Sequence, residues 1–366
     1  MNTVIHIVRD TGGVIKLVSE LANIQTKCGN KVYVLYSNLS NSHLKLFSSL
    51  VTLIEIKHWL KLPPLLFGLR TKRTLNKIIS DDFPYIIHFH NVATVGIFCS
   101  RYVKNSICTI HGLSWYNNTV RTKISKWITK RIISSIFKKN GQVIGVSKST
   151  SSFYNNLCNF NRVDTIYNGI AALKIKKILN SKLIVAHIGD VSDSKGWKYT
   201  YNAISSLKAD LKNKIEFIMA GRLIGNVNDE VQRALEASKG EFEFKYLGII
   251  ENAYENLVPS IDLLVLPSIS EGLPMSILEC QSIGIPVIAT DVGGISEIIT
   301  DNYNGFLVTR NSEKIQDKLE YILMNLDQYS IFSANSLIRF NEKFSIQVTN
   351  DKYDNLYNLV QNRRKI

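Results

Sequence analysis

The sequence predicts an α/β protein of two domains, each built on a doubly wound parallel sheet. Short apolar runs alternate with amphipathic stretches, which is the rhythm of strand–helix–strand units. The alternation restarts at Leu183, after residues 171–181 (AALKIKKILNS), whose composition is typical of a linker. The length of 366 residues is enough for two domains with sizeable cores.

Continuous apolar runs predict the strands, because strands of a parallel sheet are buried on both faces. In the first half of the chain the predicted strands are Val4–Val8, Lys31–Tyr36, Val51–Ile56, Ile86–His90, Ser106–Ile110 and Val143–Val146. In the second half they are Leu183–Ile188, Ile215–Ala220, Phe242–Leu247, Leu263–Leu266 and Ile285–Ala289. We place the first domain at residues 1–175, the second at 176–345, and a last helix at about 346–362 within a separate segment, 346–366.

Most of the recognisable chemistry lies in residues 262–297, a strand–turn–helix–strand unit. Pro274 stands where the helix begins, a position at which its missing N–H costs nothing, and Gly284 ends the helix. The start of such a helix attracts an anion, usually a phosphate. The backbone N–H groups available for it are those of Leu273, Met275 and Ser276.

Two carboxylates, Glu271 and Glu279, bracket this helix start. A carboxylate pair beside a phosphate site suits a ligand with hydroxyl groups on either side of a pyrophosphate, which describes a nucleotide sugar. The alternative is that both are solvated surface residues, one in a turn and one on a helix face.

The segment EGLPMSILE, residues 271–279, resembles the Glu–seven residues–Glu signature of the family 4 retaining glycosyltransferases. The segments DLLVLPS, GIPVIATDVGGISE and NGFLV resemble the same family, more closely over 183–308 than over 1–170. The resemblance implies the GT-B fold, in which two Rossmann-like domains face each other across a cleft and the last helix crosses back to the first domain. It also implies that Glu271 reaches the donor sugar and Glu279 holds the ribose, beside the donor-binding residues Gly272, Leu273, Pro274 and Met275.

Lys195, in the turn after strand Leu183–Ile188, is the predicted counter-ion of the leaving diphosphate. The family usually has Gly-Arg, four residues, and then Lys-Gly. Asp190 occupies the arginine position here, so one of two expected cations is missing. Arg222, after strand Ile215–Ala220, is a candidate substitute, and a surface arginine in a turn is the alternative.

Among the histidines, His111 follows strand Ser106–Ile110 at the sheet edge where open α/β sheets bind ligands. The segment TIHG resembles the family pattern, which implies that His111 contacts the donor sugar from the first domain. His88 and His90 are expected to point to opposite faces of their strand, which would exclude a paired metal site. We interpret them as hydrogen-bonded core or edge residues.

Two further loops of the first domain are donor-site candidates. Gly12 and Gly13 follow the first strand in the turn Asp10–Gly13, where glycines let a ligand approach the backbone or merely allow a tight turn. The segments VIGVSKS and IYNGI resemble the family, which implies that Asn168 faces the cleft.

The five cysteines are scattered and lack C-x-x-C spacing, which indicates a reducing cytoplasm rather than disulfides or a metal site. No apolar run reaches the ~18 residues of a membrane span, and Val4–Val8 is too short for a secretory signal. No D-x-D motif ends a strand, so we expect neither a metal nor a cofactor.

The net charge of +14 is concentrated in the first half. Residues 1–176 carry 24 Lys and Arg against 6 Asp and Glu, whereas the remainder carries 20 against 24. A nucleic-acid site would need a motif that is not present. An anionic membrane carrying a lipid-linked acceptor, or a solvated basic helix, fits better. The densest run is Arg121, Lys123, Lys126, Lys130, Arg131, Lys138 and Lys139.

This basic run lies on a predicted amphipathic helix, whose apolar stripe is expected to face the core. The stripe consists of Ile124, Trp127, Ile128, Ile132 and Ile136.

Together these features predict a metal-independent, retaining hexosyltransferase. It would move a hexose or N-acetylhexosamine, from a UDP-sugar more readily than a GDP-sugar, to a glycan acceptor that is polyprenyl-linked. The setting would be O-antigen, lipopolysaccharide or capsule assembly at the cytoplasmic face of a bacterial plasma membrane. The alternatives are a UDP-sugar epimerase of the same shape and a membrane-associated binding protein with a decayed site.

Overall fold

The computed structural model of the protein describes residues 2–9, 12–37, 39–56, 64–79, 84–92, 102–112, 120–175, 177 and 180–362. The chain divides into two compact units, Met1–Gly169 with Ile346–Ile366, and Ile170–Ser345. The expected boundary at residues 175 and 176 lies a few residues beyond this division, because Ile170 N donates to Phe344 O at 3.2 Å and Leu173 N donates to Tyr254 OH at 3.1 Å, both inside the second unit.

The described part of the first unit holds a seven-stranded parallel sheet in the order β3-β2-β1-β4-β5-β6-β7. Its strands are β1 (Thr3–Val8), β2 (Lys31–Tyr36), β3 (Thr52–Glu55), β4 (Tyr85–His90), β5 (Ser106–Ile110), β6 (Gln142–Gly145) and β7 (Val163–Thr165). Its helices are α1 (Gly13–Lys27), α2 (Asn41–Leu44), α3 (Pro64–Ile78), α4 (Val120–Lys138), α5 (Lys148–Cys158) and, at the end of the chain, α14 (Ile346–Asn362).

The second unit repeats the plan with a six-stranded parallel sheet over its described residues, in the order β10-β9-β8-β11-β12-β13. Its strands are β8 (Leu183–Ile188), β9 (Ile215–Ala220), β10 (Glu243–Tyr246), β11 (Leu263–Leu266), β12 (Val287–Thr290) and β13 (Gly305–Val308). Its helices are α6 (Trp197–Ser205), α7 (Ala209–Lys212), α8 (Asn228–Ala237), α9 (Ala253–Asn256), α10 (Met275–Gln281), α11 (Ile295–Ile298), α12 (Ser312–Met324) and α13 (Leu326–Lys343).

These two parallel sheets confirm the predicted fold class. Strands β2, β5, β8, β9 and β11 have the predicted bounds, because each is a run of apolar residues between turn residues. Strands β7 and β13 lie outside the predicted set. Both are short strands at the edges of their sheets, and β7 (VDT) has no apolar run that would predict it.

The apolar stripe of α4 is not the core face that the sequence suggested. Ile136 is buried, but Ile124, Trp127 and Ile128 are 54%, 57% and 45% exposed. At about 100° per residue, Ile124 and Ile128 lie on the opposite side of the helix from the buried Ile133. The expected stripe therefore divides between the core and an exposed apolar patch. Of the basic run on this helix, the Arg121 side chain lies outside the described residues.

Among the described cysteines, Cys28, Cys108, Cys158 and Cys280 are free thiols, and Cys99 lies outside the described residues. In the part of the chain that the structure covers, no helix has both the length and the apolar composition needed to cross a bilayer.

Candidate functional site

Two loops at the carboxyl edge of the second sheet carry the central pair of side chains. Lys195 follows β8 and Glu271 follows β11, and these strands are neighbours. The Nζ atom of Lys195 lies 2.6 Å from Oε1 of Glu271, and Ser268 Oγ donates to the same oxygen at 2.8 Å. The side chains are 29% and 10% exposed, so a ligand can reach the pair while water screens it only partly.

The two loops are joined by further hydrogen bonds. Ile269 N donates to Ser194 O at 2.8 Å. The guanidinium of Arg310 donates to Pro267 O, from Nε at 2.9 Å, and also to the carbonyl oxygen of Asp193. Arg310 was not among the predicted site residues. The signal that could have found it is its place just after β13, at the same carboxyl edge.

Close backbone approaches hold Glu271 and Lys195 in place. Gly293 has φ +60°, and a Cβ atom there would lie 1.7 Å from the carbonyl oxygen of Glu271. Gly196 has φ +77°, and a Cβ atom there would lie 2.2 Å from Pro267 O. Only glycine fits both the backbone conformation and the space at these two positions.

Helix α10 follows Glu271 directly and is only seven residues long. It begins at Met275, and Pro274 is the N-cap with extended backbone (φ −69°, ψ 123°) rather than the first helical residue. Gly272, Leu273 and Pro274 are buried, whereas Met275 and Glu279 are partly exposed. The binding of an anion at this helix start stays a prediction.

Asp190 and Arg222 form an ion pair at a neighbouring pair of turns. Arg222 Nη2 lies 3.4 Å from Asp190 Oδ1, and the two side chains are 61% and 45% exposed. The backbones are linked as well, because Val191 N donates to Arg222 O at 2.8 Å. Arg222 thus carries its positive charge beside the position at which the family usually has arginine.

In the first unit, His88 and His90 share one face of β4, and their stacked ring centroids are 4.2 Å apart. The prediction of opposite faces is wrong, because residues two apart on a strand point the same way. His6 on β1 joins them, with Nδ1 3.0 Å from His90 Nε2. His111, at the end of β5, places Nε2 3.1 Å from His90 Nδ1.

Candidate metal-ligand nitrogens of His6, His88 and His90 lie within 4.8 Å of one another, which is compact enough for a metal ion. However, both ring nitrogens of each histidine already have hydrogen-bond partners. His88 contacts Tyr357 OH at 2.8 Å and Thr109 Oγ1 at 2.7 Å, and His6 and His90 bond to each other and to neighbouring side chains. A metal would have to break these bonds, so the cluster fits a hydrogen-bond network better than a metal centre.

Burial keeps these histidines neutral. Desolvation lowers the pKa of His6 to about 4, and it lowers the pKa values of His88 and His90 well below their ordinary value. Desolvation also lowers the pKa of His111, which is partly exposed. The interpretation of His88 and His90 as hydrogen-bonded core residues agrees with this environment.

The remaining predicted residues of the first unit are the two glycines at the start of α1 and Asn168, which follows β7. Gly12 is the N-cap of α1 and Gly13 its first residue, and both are exposed, while Asp10 and Thr11 of that turn lie outside the described residues. Asn168 is 5% exposed, in the segment whose Tyr167 O accepts a hydrogen bond from Thr349 Oγ1 of α14 at 3.1 Å. The hydrogen bonds of His111 go to His90 and Asn91, so a shared site with Gly12, Gly13 and Asn168 stays a prediction.

A basic groove of about 690 Å³ runs along α4, beside the exposed patch of Ile124, Trp127 and Ile128. Trp127 borders the groove and stacks with Arg131, whose guanidinium lies 4.6 Å from its ring. The basic residues that line the groove are Lys130, Arg131, Lys138 and Lys139.

Two protein-family models match consecutive parts of the chain. The model described as Glycosyltransferase Family 4 matches residues 11–172, and the model described as Glycosyl transferases group 1 matches residues 171–337. Together they cover residues 11–337, which leaves out the first ten residues, the end of α13 and the last helix.

Relatives and solved structures agree with this match. The chain is 25% identical over 329 residues to an uncharacterised glycosyltransferase of Methanocaldococcus jannaschii, covering 82% of this chain and 81% of that protein. It is 26% identical over 256 residues to N,N'-diacetylbacillosaminyl-diphospho-undecaprenol alpha-1,3-N-acetylgalactosaminyltransferase of Campylobacter jejuni, covering 64% and 66%. It is similar in fold to a TarM variant of S. aureus in complex with fondaparinux, alpha-GlcNAc-glycerol and UDP, with a TM-score of 0.79 at 15% identity over 98% and 100% of the two chains.

Proposed function

The chain belongs to the group 1, family 4 glycosyltransferases, and from this premise we propose that it transfers a hexose or N-acetylhexosamine from a nucleotide-diphosphate sugar with retention of configuration. The observation that carries the proposal is the Lys195–Glu271 pair at the carboxyl edge of the second sheet. Lys195 would meet the diphosphate and Glu271 the sugar hydroxyls. Glu279, partly exposed on α10, would hold the ribose.

The proposed mechanism needs no metal ion. Charge on the departing diphosphate would be met by Lys195, by the backbone amides after Glu271 and by Arg222. The bond between the anomeric carbon and the phosphate oxygen breaks as the acceptor oxygen attacks the same face of the sugar. The acceptor proton passes to the leaving phosphate, so no side chain has to act as nucleophile. His111 would contact the sugar.

We propose a UDP-sugar as donor and a polyprenyl-linked glycan of bacterial surface polysaccharide as acceptor. The Campylobacter jejuni relative is named for a diphospho-undecaprenol acceptor, and the similar TarM structure contains UDP. Helix α4 supports a membrane-bound acceptor. Its exposed Ile124, Trp127 and Ile128 lie beside a basic groove, a combination that suits an anionic membrane surface on the cytoplasmic side.

Calorimetric titration with UDP and with GDP tests the donor site. We expect micromolar binding of UDP, lost in Glu279→Ala and retained in Glu236→Ala, which removes an exposed carboxylate of the same unit. Absence of nucleotide binding in the folded protein would contradict the proposal. It would favour the binding protein with a decayed site, the alternative to which Asp190 points.

Turnover of a bound UDP-sugar then distinguishes the transferase from the epimerase. Release of UDP with a glycosylated acceptor supports the transferase, whereas conversion of the sugar without release of UDP would identify an epimerase.

Flotation with vesicles tests the membrane proposal. We expect binding to phosphatidylglycerol vesicles, reduced in a Trp127→Ala, Ile128→Ser double variant. Ile331→Ser removes a similarly exposed isoleucine of the second unit, 52% exposed, and should leave flotation unchanged. Equal flotation of all three proteins would exclude α4 as the docking surface.

A further inference from the structure

A chain of buried hydrogen bonds leads from Gln25 on α1 to His111. Gln25 Oε1 lies 2.8 Å from His6 Nε2, and His6 Nδ1 lies 3.0 Å from His90 Nε2. The last link joins His90 Nδ1 to His111 Nε2 at 3.1 Å. A hydrogen bond between two imidazole nitrogens needs one donor and one acceptor, so the tautomers of the three rings are coupled.

The Gln25 amide sets the direction of this chain. Its Nε2 donates to Tyr357 OH at 3.3 Å, so its Oε1 is the acceptor that faces His6. His6 must therefore carry its proton on Nε2 and accept at Nδ1. His90 then donates from Nε2 and accepts at Nδ1, which leaves Nε2 of His111 as the donor to His90. A neutral His111 has no second proton, so its Nδ1 carries a lone pair.

We propose that Gln25, His6 and His90 are positioning residues that hold His111 as the Nε2–H tautomer, with Nδ1 as a hydrogen-bond acceptor for the substrate. The inference rests on the proposed function, in which His111 contacts the donor sugar. Among the described residues, Nδ1 of His111 makes no hydrogen bond. An acceptor nitrogen pairs with a hydroxyl group, which donates, and repels an ionised phosphate oxygen, which only accepts. His111 therefore recognises a sugar hydroxyl rather than the diphosphate.

Because this series of hydrogen bonds is buried, water cannot replace its donors and acceptors. Gln25, His6 and His90 have no exposed surface. Desolvation lowers the pKa values of both histidines, so neither becomes a double donor near neutral pH. The other orientation of the Gln25 amide would reverse every donor and make His111 the Nδ1–H tautomer. The tautomer of His111 in the wild-type protein is thus a direct test.

The test is a multiple-bond ¹H–¹⁵N correlation spectrum of the full-length, ¹⁵N-labelled protein at pH 7.5, in which His111→Asn identifies the His111 signals. We expect a protonated Nε2 and an unprotonated Nδ1. A protonated Nδ1, or equal amounts of both tautomers, overturns the inference. The readout needs no substrate, so failure to bind UDP would count against the proposed function and leave this result standing.

Variants at Gln25 test whether this series of hydrogen bonds fixes the tautomer of His111. Gln25→Leu removes the acceptor, and we expect His111 to populate both tautomers. Gln25→Glu offers only acceptor atoms as the ionised carboxylate and in that form should preserve Nε2–H. Gln281→Leu removes another fully buried glutamine, in the second unit, and should leave the His111 tautomer unchanged.

A single, unchanged tautomer in Gln25→Leu would overturn the proposal, as would Nδ1–H in Gln25→Glu. If Gln25→Leu does not fold, the wild-type and Gln25→Glu spectra decide. Addition of a UDP-sugar should shift the Nδ1 signal of His111, whereas UDP alone should not. A shift with UDP alone would overturn the assignment of a hydroxyl partner.

Discussion

The ammonium of Lys195 and the carboxylate of Glu271 lie 2.6 Å apart, so each neutralises the other in the site. A diphosphate that takes Lys195 as its counter-ion competes with Glu271 for the same ammonium. Binding of the donor would move the lysine toward the phosphates and turn the carboxylate toward the sugar hydroxyls.

Removal of Glu271 should therefore separate nucleotide binding from transfer. In Glu271→Ala we expect UDP to bind as tightly as in wild type or a few-fold tighter, because Lys195 loses its competitor. Transfer should fall by about 100-fold or more, because the sugar loses the group that orients it. Calorimetry and product formation measure the two effects. Weaker UDP binding together with normal transfer would contradict this competition.

Asp190→Asn should strengthen nucleotide binding, because it releases Arg222 from its ion pair. Exposed ion pairs contribute about 0.2–1 kcal/mol, so the expected gain in UDP affinity is about 1.5- to 5-fold. The gain should vanish in the double variant with Arg222→Gln. Asp210→Asn, an exposed aspartate of the same unit, is the control for net charge. A loss of affinity in Asp190→Asn would assign Asp190 a binding role of its own.

Gly293→Ala should destabilise the protein more than the positive φ of this residue alone explains. Gly225 has a similar φ of +82° with no atom within 4 Å of an added Cβ, so Gly225→Ala isolates the cost of the left-handed conformation, about 1–2 kcal/mol. Gly293→Ala adds a clash with Glu271 O, which we expect to cost about 1–3 kcal/mol more. Urea unfolding measures both variants, and equal losses would exclude the clash.

The buried ion pair between Lys177 and Asp262 should contribute strongly to the stability of the second unit. The two charged atoms lie 2.9 Å apart, with side chains 5% and 0% exposed. Asp262→Ala leaves Lys177 buried and unpaired, at a cost of about 3–5 kcal/mol. The exposed pair Lys182–Glu243 gives the control, because Lys182→Met should cost no more than about 1 kcal/mol. Similar losses of stability for the two variants in thermal unfolding would show that burial does not strengthen the Lys177–Asp262 pair.

Stability of the first unit should fall as the pH drops from about 6.5 to 4. His6 has a folded pKa of about 4 against an ordinary value of 6.5, so the unfolded chain binds the extra proton throughout that window. Between pH 7 and pH 5 this amounts to on the order of 2 kcal/mol for His6. Urea unfolding of wild type and His6→Gln measures the slope, which the variant should reduce. His43→Gln, at an exposed position, should leave the slope unchanged.

The strands and the site loops of the second unit were predictable because their signals are local. A buried parallel strand is a run of apolar residues, and a ligand-binding loop follows it at the carboxyl edge. Glu271 and Lys195 were singled out by this placement and Glu279 by its position on the following helix, while the roles of all three came from the family resemblance and stay predictions. Arg310 was missed because its role depends on carbonyl groups of two other loops, which no spacing along the chain reveals.

The sequence by itself determined the two-sheet α/β plan, the bounds of five strands and the residues that follow them, since periodicity and turn chemistry act over a few residues. Only the tertiary structure decided which charges meet. It paired Lys195 with Glu271 and Arg222 with Asp190, residues 76 and 32 positions apart. It also placed His6, His88, His90 and His111 in one network, because three parallel strands bring distant positions onto one face of the sheet. Contacts of this kind depend on strand order, which is a property of the folded chain as a whole.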